Sequence, residues 1–308
     1  MGRRARKPGG FRDLDGILLL HKPVGTSSNR VLQKIRHLFR ANKAGHTGSL
    51  DPLASGMLPI CFGEATKFSG FLLDASKYYR VVCQLGKTTS TGDAEGEVTA
   101  ELPVEVNLGQ VESVLKQFIG TVDQVPPMYS AVKHKGQRLY HLARSGREVE
   151  RAARSIQIHS LELVDLSDDR LELDVHSSKG TYIRTLAEDI GKALGCGAYV
   201  ARLERTGVQA FLHQPCYTLE QLAELAGQGL DKLDTCLLPV NGALAELPQL
   251  VIDTLTVDLL KQGRAVRVSN APASDLLSLV AESGQFIGVG KVLADGKIAP
   301  KRLMNTAR

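Results

Sequence analysis

Residues 45–67 read GHTGSLDPLASGMLPICFGEATK. Three glycines and a proline interrupt the first half of this stretch, which predicts a loop without a sustained period. The second half, MLPICF at 57–62, predicts a strand. Pro59 places that strand at a sheet edge or a bulge, because proline donates no backbone hydrogen bond. Asp51 is the only acid in the loop, and it stands shortly before the strand.

The carboxylate of Asp51 is the candidate catalytic group of this loop. The following Pro52 disfavours the α conformation at Asp51 and makes it extended. The flanking glycines allow a ligand to approach the backbone closely. A carboxylate in this setting suits a nucleophile or a general base. The same spacing also fits an ordinary Asp-Pro turn, so both interpretations stay open on spacing alone.

Other catalytic motifs are missing from the sequence. It contains no GxSxG, no HExxH, no GxxxxGK[ST] and no HxE with a matching PCxxC. Their absence weighs against an α/β-hydrolase, a zincin, a P-loop NTPase and a zinc deaminase. The five cysteines are widely spaced and form no CxxC pair, so we expect free thiols in a reducing cytoplasm and no metal site.

Charge is distributed unevenly along a chain of 308 residues with a net charge of +5. Basic clusters occur at residues 3–7, at 31–46 without any acid, at 133–154 and after Asp295. Such clusters are typical of proteins that bind a phosphate-bearing partner. No apolar run reaches the ~18 residues of a membrane span, and the basic N-terminus lacks the apolar core of a signal peptide. We therefore expect a cytoplasmic protein that binds no membrane. Because the sequence shows neither a coiled coil nor a large apolar surface, we expect a monomer.

Hydrophobic periodicity and capping signals predict the order of helices and strands. Thr181 is predicted to cap one helix, and Thr218 with Gln221 forms a predicted capping box at another. The predicted strands are 16–20, 78–85, 156–164 and 170–176, and the other predicted helices are 31–39, 111–119 behind Asn107, and 136–145.

The composition changes near residues 245–250, where we predict a domain boundary. Beyond it lie a short predicted helix at 254–262 and three short predicted strands, AVRV, LLSLVA and FIGVGKV. The predicted organisation has a flexible basic arm at 1–12, a main domain at 13–250 and a small β-rich domain at 251–308.

Six segments together resemble the TruB family of pseudouridine synthases. The first, GHTGSLDPLASGMLPICFGEATK, is long and specific. All six occur along the chain in the family's order. The other five are HKPVGTSSN (21–29), KYYRVVCQLGKTTSTGDAEG (77–96), VPPMYSAVKHKGQRLYHLARSGREVER (125–151), VHSSKGTYIRTLAEDIG (175–191) and GAYVARLERTGVQAF (197–211).

The resemblance implies a fold and an activity. The expected fold is α+β, with a mixed, largely antiparallel central sheet flanked by helices, and residues 251–308 are expected to form a PUA-type RNA-binding domain. Residues 124–154 resemble the family's RNA-binding thumb. The expected reaction isomerises a uridine in the T-loop of tRNA, at position 55, to pseudouridine. It needs neither cofactor nor metal, and no obligate protein partner is expected.

The resemblance also assigns roles to individual residues. Asp51 is expected to be the catalytic aspartate, paired with Arg184, and Tyr79 is expected to lie against the extruded uracil. His46 is expected to help displace the target base. The remaining expected contacts with the base or its surroundings come from Tyr182, Leu203 and Lys22.

Two departures and two rival functions accompany this interpretation. Glu204 occupies a position where the family usually has a basic residue, which puts a phosphate contact there in doubt. Ser49, Ser55 and Met57 are milder changes. The rivals are a non-catalytic RNA-binding protein or tRNA chaperone, and a synthase that acts on another uridine. The sequence also leaves open whether Asp51 attacks C1′, attacks the uracil ring or removes a sugar proton.

Overall fold

A computed structural model of the chain describes residues 10–305, except for the side chain of Arg144. The helices are α1 (Ser28–Leu38), α2 (Ser69–Asp74), α3 (Leu108–Gln117), α4 (Leu139–Arg144), α5 (Ile183–Ala193), α6 (Leu219–Gly227), α7 (Leu230–Asp234) and α8 (Thr254–Lys261). Short 3-10 turns lie at Gly63–Lys67, Gln209–Phe211 and Val240–Leu244.

Sixteen strands are interspersed with these helices along the described part of the chain. They are β1 (Gly16–Lys22), β2 (Ala44–His46), β3 (Ser55–Phe62), β4 (Lys77–Leu85), β5 (Lys87–Thr89), β6 (Val98–Glu101), β7 (Gly120–Gln124), β8 (Lys133–His134), β9 (Gln137–Arg138), β10 (Arg154–Ser167), β11 (Arg170–Ser177), β12 (Ala198–Val208), β13 (Gln249–Ile252), β14 (Leu276–Ala281), β15 (Phe286–Val292) and β16 (Ile298–Leu303).

An eight-stranded central sheet organises the main part of the chain. Its order is β1-β3-β12-β4-β11-β10-β7, and β2 pairs with β3 beside this path. All neighbouring strands run antiparallel except β12 and β3, whose parallel pairing joins Glu204 to Ser55 and Arg205 to Gly56. The predicted α+β class with a mixed, largely antiparallel sheet is therefore confirmed.

Helices α1, α3 and α5 bury their apolar stripes in the cores of the main sheet. In α1, Val31, Leu32 and Ile35 are buried at helical spacing, and the Ser27 hydroxyl accepts a hydrogen bond from Arg30 N (3.2 Å) at the N-terminus. Helices α3 and α5 share a second apolar cluster with the inner face of strands β4, β11 and β12. The capping boxes predicted at Asn107 and Thr218 are confirmed.

Three local predictions are wrong. Strand β3 is paired on both sides, although it contains Pro59. The Pro59 carbonyl points away from β1 and accepts a hydrogen bond from Thr47 N (3.0 Å). The nitrogen of Pro59 points to the same side as its carbonyl, so the missing N–H takes no hydrogen bond away from the pairing with β1. Helix α5 begins after Tyr182, and the Thr181 hydroxyl instead donates to Ser178 O (3.1 Å). The predicted strand AVRV is reduced to a single bridge at Val266.

The C-terminal residues form a separate four-stranded sheet, β13-β14-β15-β16, with its own apolar core. This sheet also packs on the main part of the chain. Val289 lies in one apolar cluster with Phe68, whose ring centroid is 5.3 Å from that of Phe286. Asn305 N donates to Glu64 Oε2 (2.6 Å). The β-rich C-terminal unit is confirmed, and it is joined firmly to its neighbour.

The predicted N-terminal arm lies mostly outside the described residues, which begin at residue 10. Arg12 is held in place, because its backbone N donates to Arg40 O (2.6 Å) and its guanidinium contacts the Asp234 carboxylate. In the part of the chain that the structure describes, no helix has the length and apolar character needed to cross a membrane.

Candidate active site

The loop between β2 and β3, residues 47–54, carries Asp51 at the same face of the central sheet as α1 and α5. The loop packs inward through Leu50 and Ala54, which belong to the apolar cluster of α5. The side chain of Asp51 keeps 42 % of its surface exposed. The loop is therefore anchored by apolar groups while its carboxylate remains accessible to a ligand.

Arg184 meets the Asp51 carboxylate from the first turn of α5. Its Nε donates to Asp51 Oδ2 at 2.9 Å. Its two terminal nitrogens donate to the carbonyl oxygens of Thr91 and Tyr129, each at 2.8 Å. The side chain is only 5 % exposed. Three fixed acceptors define one orientation for the guanidinium, and so for the carboxylate that it holds.

A second carboxylate, that of Asp93 in the loop between β5 and β6, faces the same guanidinium. Asp93 Oδ2 lies 3.5 Å from Arg184 Nε, and the side chain is buried. Its other oxygen accepts from the Thr91 hydroxyl (2.5 Å) and from Glu95 N (3.1 Å). Arg184 therefore lies between one buried acid and one accessible acid, and only Asp51 is free to face a substrate.

Arg205 is a buried cation beneath the loop at residues 47–54. It is 2 % exposed, and in the described residues no salt bridge joins it to an acid. Its Nε donates to Met57 O (2.7 Å) and its Nη2 to Gly48 O (3.1 Å). A charged group in this setting must be compensated by good acceptors. Arg205 thereby ties the start of the loop to β3 and β12.

Lys22 holds the other end of the loop. The residue has no exposed surface, and its ammonium donates to Pro23 O and Thr26 O, both at 2.8 Å, and to Pro52 O at 3.5 Å. Burial lowers the pKa of Lys22 to about 8, against the nearby charge of Asp51. These contacts leave no surface for direct contact with substrate, and they fit support of the loop.

Tyr182 and His46 stand next to the two elements that carry the ion pair: Tyr182 precedes α5, and His46 precedes the loop of Asp51. Tyr182 immediately precedes α5, and its backbone is fixed on both sides by the side chain of Gln124, at 2.8 and 3.1 Å. Burial raises the pKa of the Tyr182 phenol. His46 ends β2, its Nδ1 is buried without a hydrogen-bond partner, and burial followed by the charge of Arg205 lowers its pKa. At neutral pH, His46 is therefore a neutral ring.

Tyr79 and Leu203 belong to neighbouring strands, β4 and β12, and both pack in the apolar cluster that includes Leu50. Tyr79 is the cross-strand partner of Arg205 in the pairing of β4 with β12. Alternation along each strand directs Tyr79 and Leu203 toward the helices and the loop at residues 47–54. The structure thus brings Tyr79 and Leu203 to the side of the sheet where Asp51 lies.

Glu204 lies on the opposite side of the sheet. Its Oε1 is 3.4 Å from His21 Nε2, and its charge acts on Arg80, which pairs with Asp174 at 2.6 Å. The departure from the family pattern at this position therefore places an acid beside His21 and the Arg80 cation on the back face, away from Asp51.

The segment predicted to form a thumb, 124–154, contains the β8–β9 hairpin and the short helix α4. Aromatic rings and cations lie together here. The rings of Tyr140 and His141 are 4.1 Å apart, and Arg138 lies 5.9 Å above the Tyr140 ring. Arg184 reaches the start of this segment at Tyr129 O.

Comparison with known sequences covers nearly the whole chain. The family model described as TruB family pseudouridylate synthase (N terminal domain) matches residues 36–183. Two C-terminal TruB models match residues 184–245 and 248–304. The tRNA pseudouridine synthase B of Nitrosococcus oceani is 52 % identical over 95 % of this chain and 96 % of its own length. The chain belongs to the TruB family of pseudouridine synthases.

Two further relatives of this TruB-family chain carry the same name as the Nitrosococcus protein. The tRNA pseudouridine synthase B of Stutzerimonas stutzeri is 52 % identical, with 96 % of this chain and 97 % of that protein covered. The one of Serratia proteamaculans is 47 % identical, with 98 % of each chain covered.

Solved structures show that the TruB fold extends to more distant proteins. A chain in a Cbf5–Nop10–Gar1 complex superposes with a TM-score of 0.74 at 24 % identity, over 97 % of this chain and 91 % of that one. A chain in an H/ACA RNP bound to a substrate RNA gives 0.73 at 22 % identity, over 94 % and 85 %. At such identities the likeness concerns the fold.

Three polar residues around the Asp51 loop of this TruB-family chain were not singled out as site residues from the sequence. These are Ser28, Asp93 and Arg205, which contact Leu50, Arg184 and Gly48. Of these three, only Arg205 could have been predicted to lie near the site. It stands two positions after Leu203, so the two side chains share one face of the strand. Among residues 10–305, no group of three metal-binding side chains is arranged to hold a metal ion.

Proposed function

We propose that Asp51 is the catalytic carboxylate with which this chain converts uridine 55, in the T-loop of tRNA, to pseudouridine. As a TruB-family enzyme, the chain isomerises a uridine of tRNA to pseudouridine. The observation that most directly supports the assignment of Asp51 is its 2.9 Å contact with the buried Arg184 guanidinium. A buried cation that orients an accessible acid is suited to a catalytic site.

The reaction breaks the bond from uracil N1 to ribose C1′ and forms a bond from C5 to C1′. The C5 proton leaves and N1 gains a proton, so all heavy atoms of the product come from the substrate. Asp51 acts by attack on C1′, attack on the ring or removal of a sugar proton. All three routes require an oriented carboxylate beside the glycosidic bond of the target uridine, and the contact with Arg184 provides that orientation. No step of this isomerisation calls for a cofactor or a metal.

The target uridine must leave the stack of the T-loop before the carboxylate reaches it. Extrusion of a base costs a few kcal/mol, which contacts in a pocket offset. We assign the stacking surface to Tyr79 and the apolar walls to Tyr182 and Leu203, because all three surround the loop of Asp51. His46, a neutral ring at the loop's entrance, is proposed to help displace the base.

The remaining segments are proposed to bind the rest of the tRNA. Residues 13–250 form the catalytic domain, within which 124–154 act as the thumb, and 251–308 form a PUA-type RNA-binding domain, while the basic residues at 1–12 act as an arm. Aromatic rings interleaved with cations in the thumb suit RNA bases and phosphates. We further propose that the chain works as a cytoplasmic monomer without an obligate protein partner.

Tritium release from tRNA labelled at uracil C5 tests both the activity and the residue. We expect the wild-type chain to release one tritium per tRNA and Asp51→Asn to release none above background. Asp231→Asn, which removes an exposed acid from α7, is the matched control and should release tritium normally. Full release by Asp51→Asn would refute the assignment and leave the fold family intact. A wild-type chain that binds tRNA without any release would favour the rival RNA-binding role.

A further inference from the structure

Helix α1 exposes a basic stripe on the face opposite its buried one. Arg30, Lys34 and His37 recur at intervals of four and three residues, and all three are exposed. Residues three and four apart are neighbours on a helix surface. From Val31 to His46 the sequence contains no acid. The stripe is therefore a local concentration of positive charge with no acid of its own segment to balance it.

Some other exposed cations of the main domain are paired with acids. Lys179 lies 2.8 Å from Asp74, and Lys87 lies 3.2 Å from Glu101. Among the ion pairs of the described residues, none includes Arg30 or Lys34. Like charges four residues apart weaken a helix by a few tenths of a kcal/mol. Two unpaired cations at this spacing are available for an external anion.

The position of α1 relative to the catalytic loop suggests which anion. Ser28, the first residue of α1, hydrogen-bonds both backbone groups of Leu50, which precedes Asp51. With a rise of ~1.5 Å per residue, Arg30 and Lys34 lie roughly 3 and 9 Å along the axis from Ser28. On its other side the loop meets Arg184, which contacts the start of the thumb. The catalytic loop thus lies between the thumb and α1.

We propose that Arg30 and Lys34 bind the phosphate backbone of the substrate RNA, so that α1 is a second RNA-binding surface across the catalytic loop from the thumb. This inference rests on the proposed function, because it takes the ligand of the loop to be tRNA. The cations match in sign and exposure the phosphates that flank a base held at Asp51. Contacts of this kind position the RNA and carry no sequence information.

A binding experiment with the catalytically inactive Asp51→Asn chain as the background tests the proposal. Arg30→Gln with Lys34→Gln removes two charges and keeps good helix-forming residues. The matched control is Lys116→Gln with Lys192→Gln, which neutralises two exposed lysines in the last turns of α3 and α5. Affinity for labelled tRNA and for a T-arm hairpin is measured between 50 and 200 mM salt.

We expect the α1 double variant to bind roughly tenfold or more weakly near 0.1 M salt. Its slope of log affinity against log salt should be shallower by about 1.4–1.8, since each phosphate contact contributes about 0.7–0.9. The control pair should match the background chain, and Lys34→Arg should bind like it. A loss with the hairpin assigns the contact to the T-arm, and a loss with whole tRNA alone assigns it to a neighbouring stem.

Equal affinity and equal slope for the α1 double variant and its background would overturn the proposal. Equal losses in the control pair would overturn it too, because the effect would then be one of net charge. These outcomes are independent of the proposed function. That function fails if the wild-type chain releases no tritium from tRNA, whereas α1 is judged by binding alone.

Discussion

The hydroxyl of Ser28 accepts a hydrogen bond from Leu50 N (2.8 Å) and donates one to Leu50 O (3.0 Å). Both residues are buried, and they are 22 positions apart in the sequence. One side chain thereby fixes both backbone polar groups of the residue that precedes Asp51. Together with Arg205 at Gly48 and Lys22 at Pro52, it holds the loop at three points around the carboxylate.

We predict that Ser28→Ala lowers the turnover rate more than it lowers tRNA affinity. The variant leaves the buried Leu50 N–H and carbonyl without partners, which costs about 1–3 kcal/mol and releases the loop. Ser27→Ala is a matched control, because it removes the cap of the same helix at a cost of about 1 kcal/mol without touching Leu50. Single-turnover rates and unfolding free energies measure both effects. Equal rates for two equally destabilised variants would contradict the role of Ser28.

The site was only partly predictable from the sequence. The pairing of Asp51 with Arg184 followed from the family resemblance, and spacing alone gave no reason to bring together residues 133 positions apart. Ser28 and Asp93 could not be found in this way. Each acts by contacting a backbone or side chain that is distant in sequence, so the pleat and packing of the sheet decide whether the two meet.

We predict that Arg184→Lys lowers the turnover rate roughly 10- to 100-fold, because a hydrogen bond to a charged group contributes about 1.5–3 kcal/mol. Lysine keeps the charge and cannot reach Asp51, Thr91 and Tyr129 at once. Rapid-quench measurement at saturating enzyme isolates this step. Lys179→Arg, at an exposed pair with Asp74, is a control that should behave like wild type. A normal rate for Arg184→Lys would show that charge alone is sufficient.

The fold was more predictable than the site, and its exceptions have local causes. Period and capping signals located α3 and α6, because apolar spacing and a capping box agree there. The prediction of an edge strand from Pro59 was wrong because a proline disrupts a sheet only where its missing N–H faces a neighbouring strand. The register of β1 with β3 decides which side it faces, and the sequence does not show that register. Strand β13 was missed because it spans only four residues, although two of them alternate as buried positions. Strand β16 was missed because its burial does not alternate along the strand.

We predict that Glu204→Arg reduces stability and leaves tRNA affinity within about twofold of wild type. The new cation would face the Arg80 cation on the back of the sheet, where like charges repel, and it would remove the contact of Glu204 with His21. Chemical denaturation and tRNA binding, measured on the same preparations, separate the two effects. Tighter tRNA binding by the variant would mean that this face meets the RNA after all.

A pH dependence of stability is expected from Lys77, which is buried and donates to the carbonyls of Leu72 (3.2 Å) and Leu73 (2.7 Å). Burial lowers its pKa from 10.5 to about 8. Between these values the unfolded chain holds a proton that the folded chain has lost, so the free energy of unfolding rises with pH. Below pH 8 both states are protonated, and this lysine contributes no slope.

The comparison of wild type with Lys77→Met isolates that contribution. We predict that the difference in unfolding free energy, wild type minus variant, rises between pH 8 and 10.5 by up to about 1.4 kcal/mol per pH unit. Below pH 8 it should be constant. Urea denaturation at four or five pH values measures it. A difference that stays flat, or falls, over this range would show that Lys77 titrates normally in the folded chain.

The C-terminal unit calls for substitution rather than deletion. Removing residues 251–308 would uncover Phe68 and the apolar cluster that it shares with Val289, so weaker tRNA binding after deletion would have two explanations. Lys301 and Arg302 offer a cleaner test. Both are exposed on β16, and neither takes part in an ion pair of the described residues.

We predict that Lys301→Gln with Arg302→Gln weakens tRNA binding and makes its salt dependence shallower, because two phosphate contacts are lost. Single-turnover tritium release at saturating enzyme should fall far less than the affinity, since Asp51 lies in the other sheet's loop. Lys297→Gln is the control, as Lys297 is already 2.9 Å from Asp295 and its charge is partly balanced. Unaltered affinity in the double variant would count against an RNA-binding role for β16, and a rate that falls in step with affinity would mean that this unit acts on the chemical step.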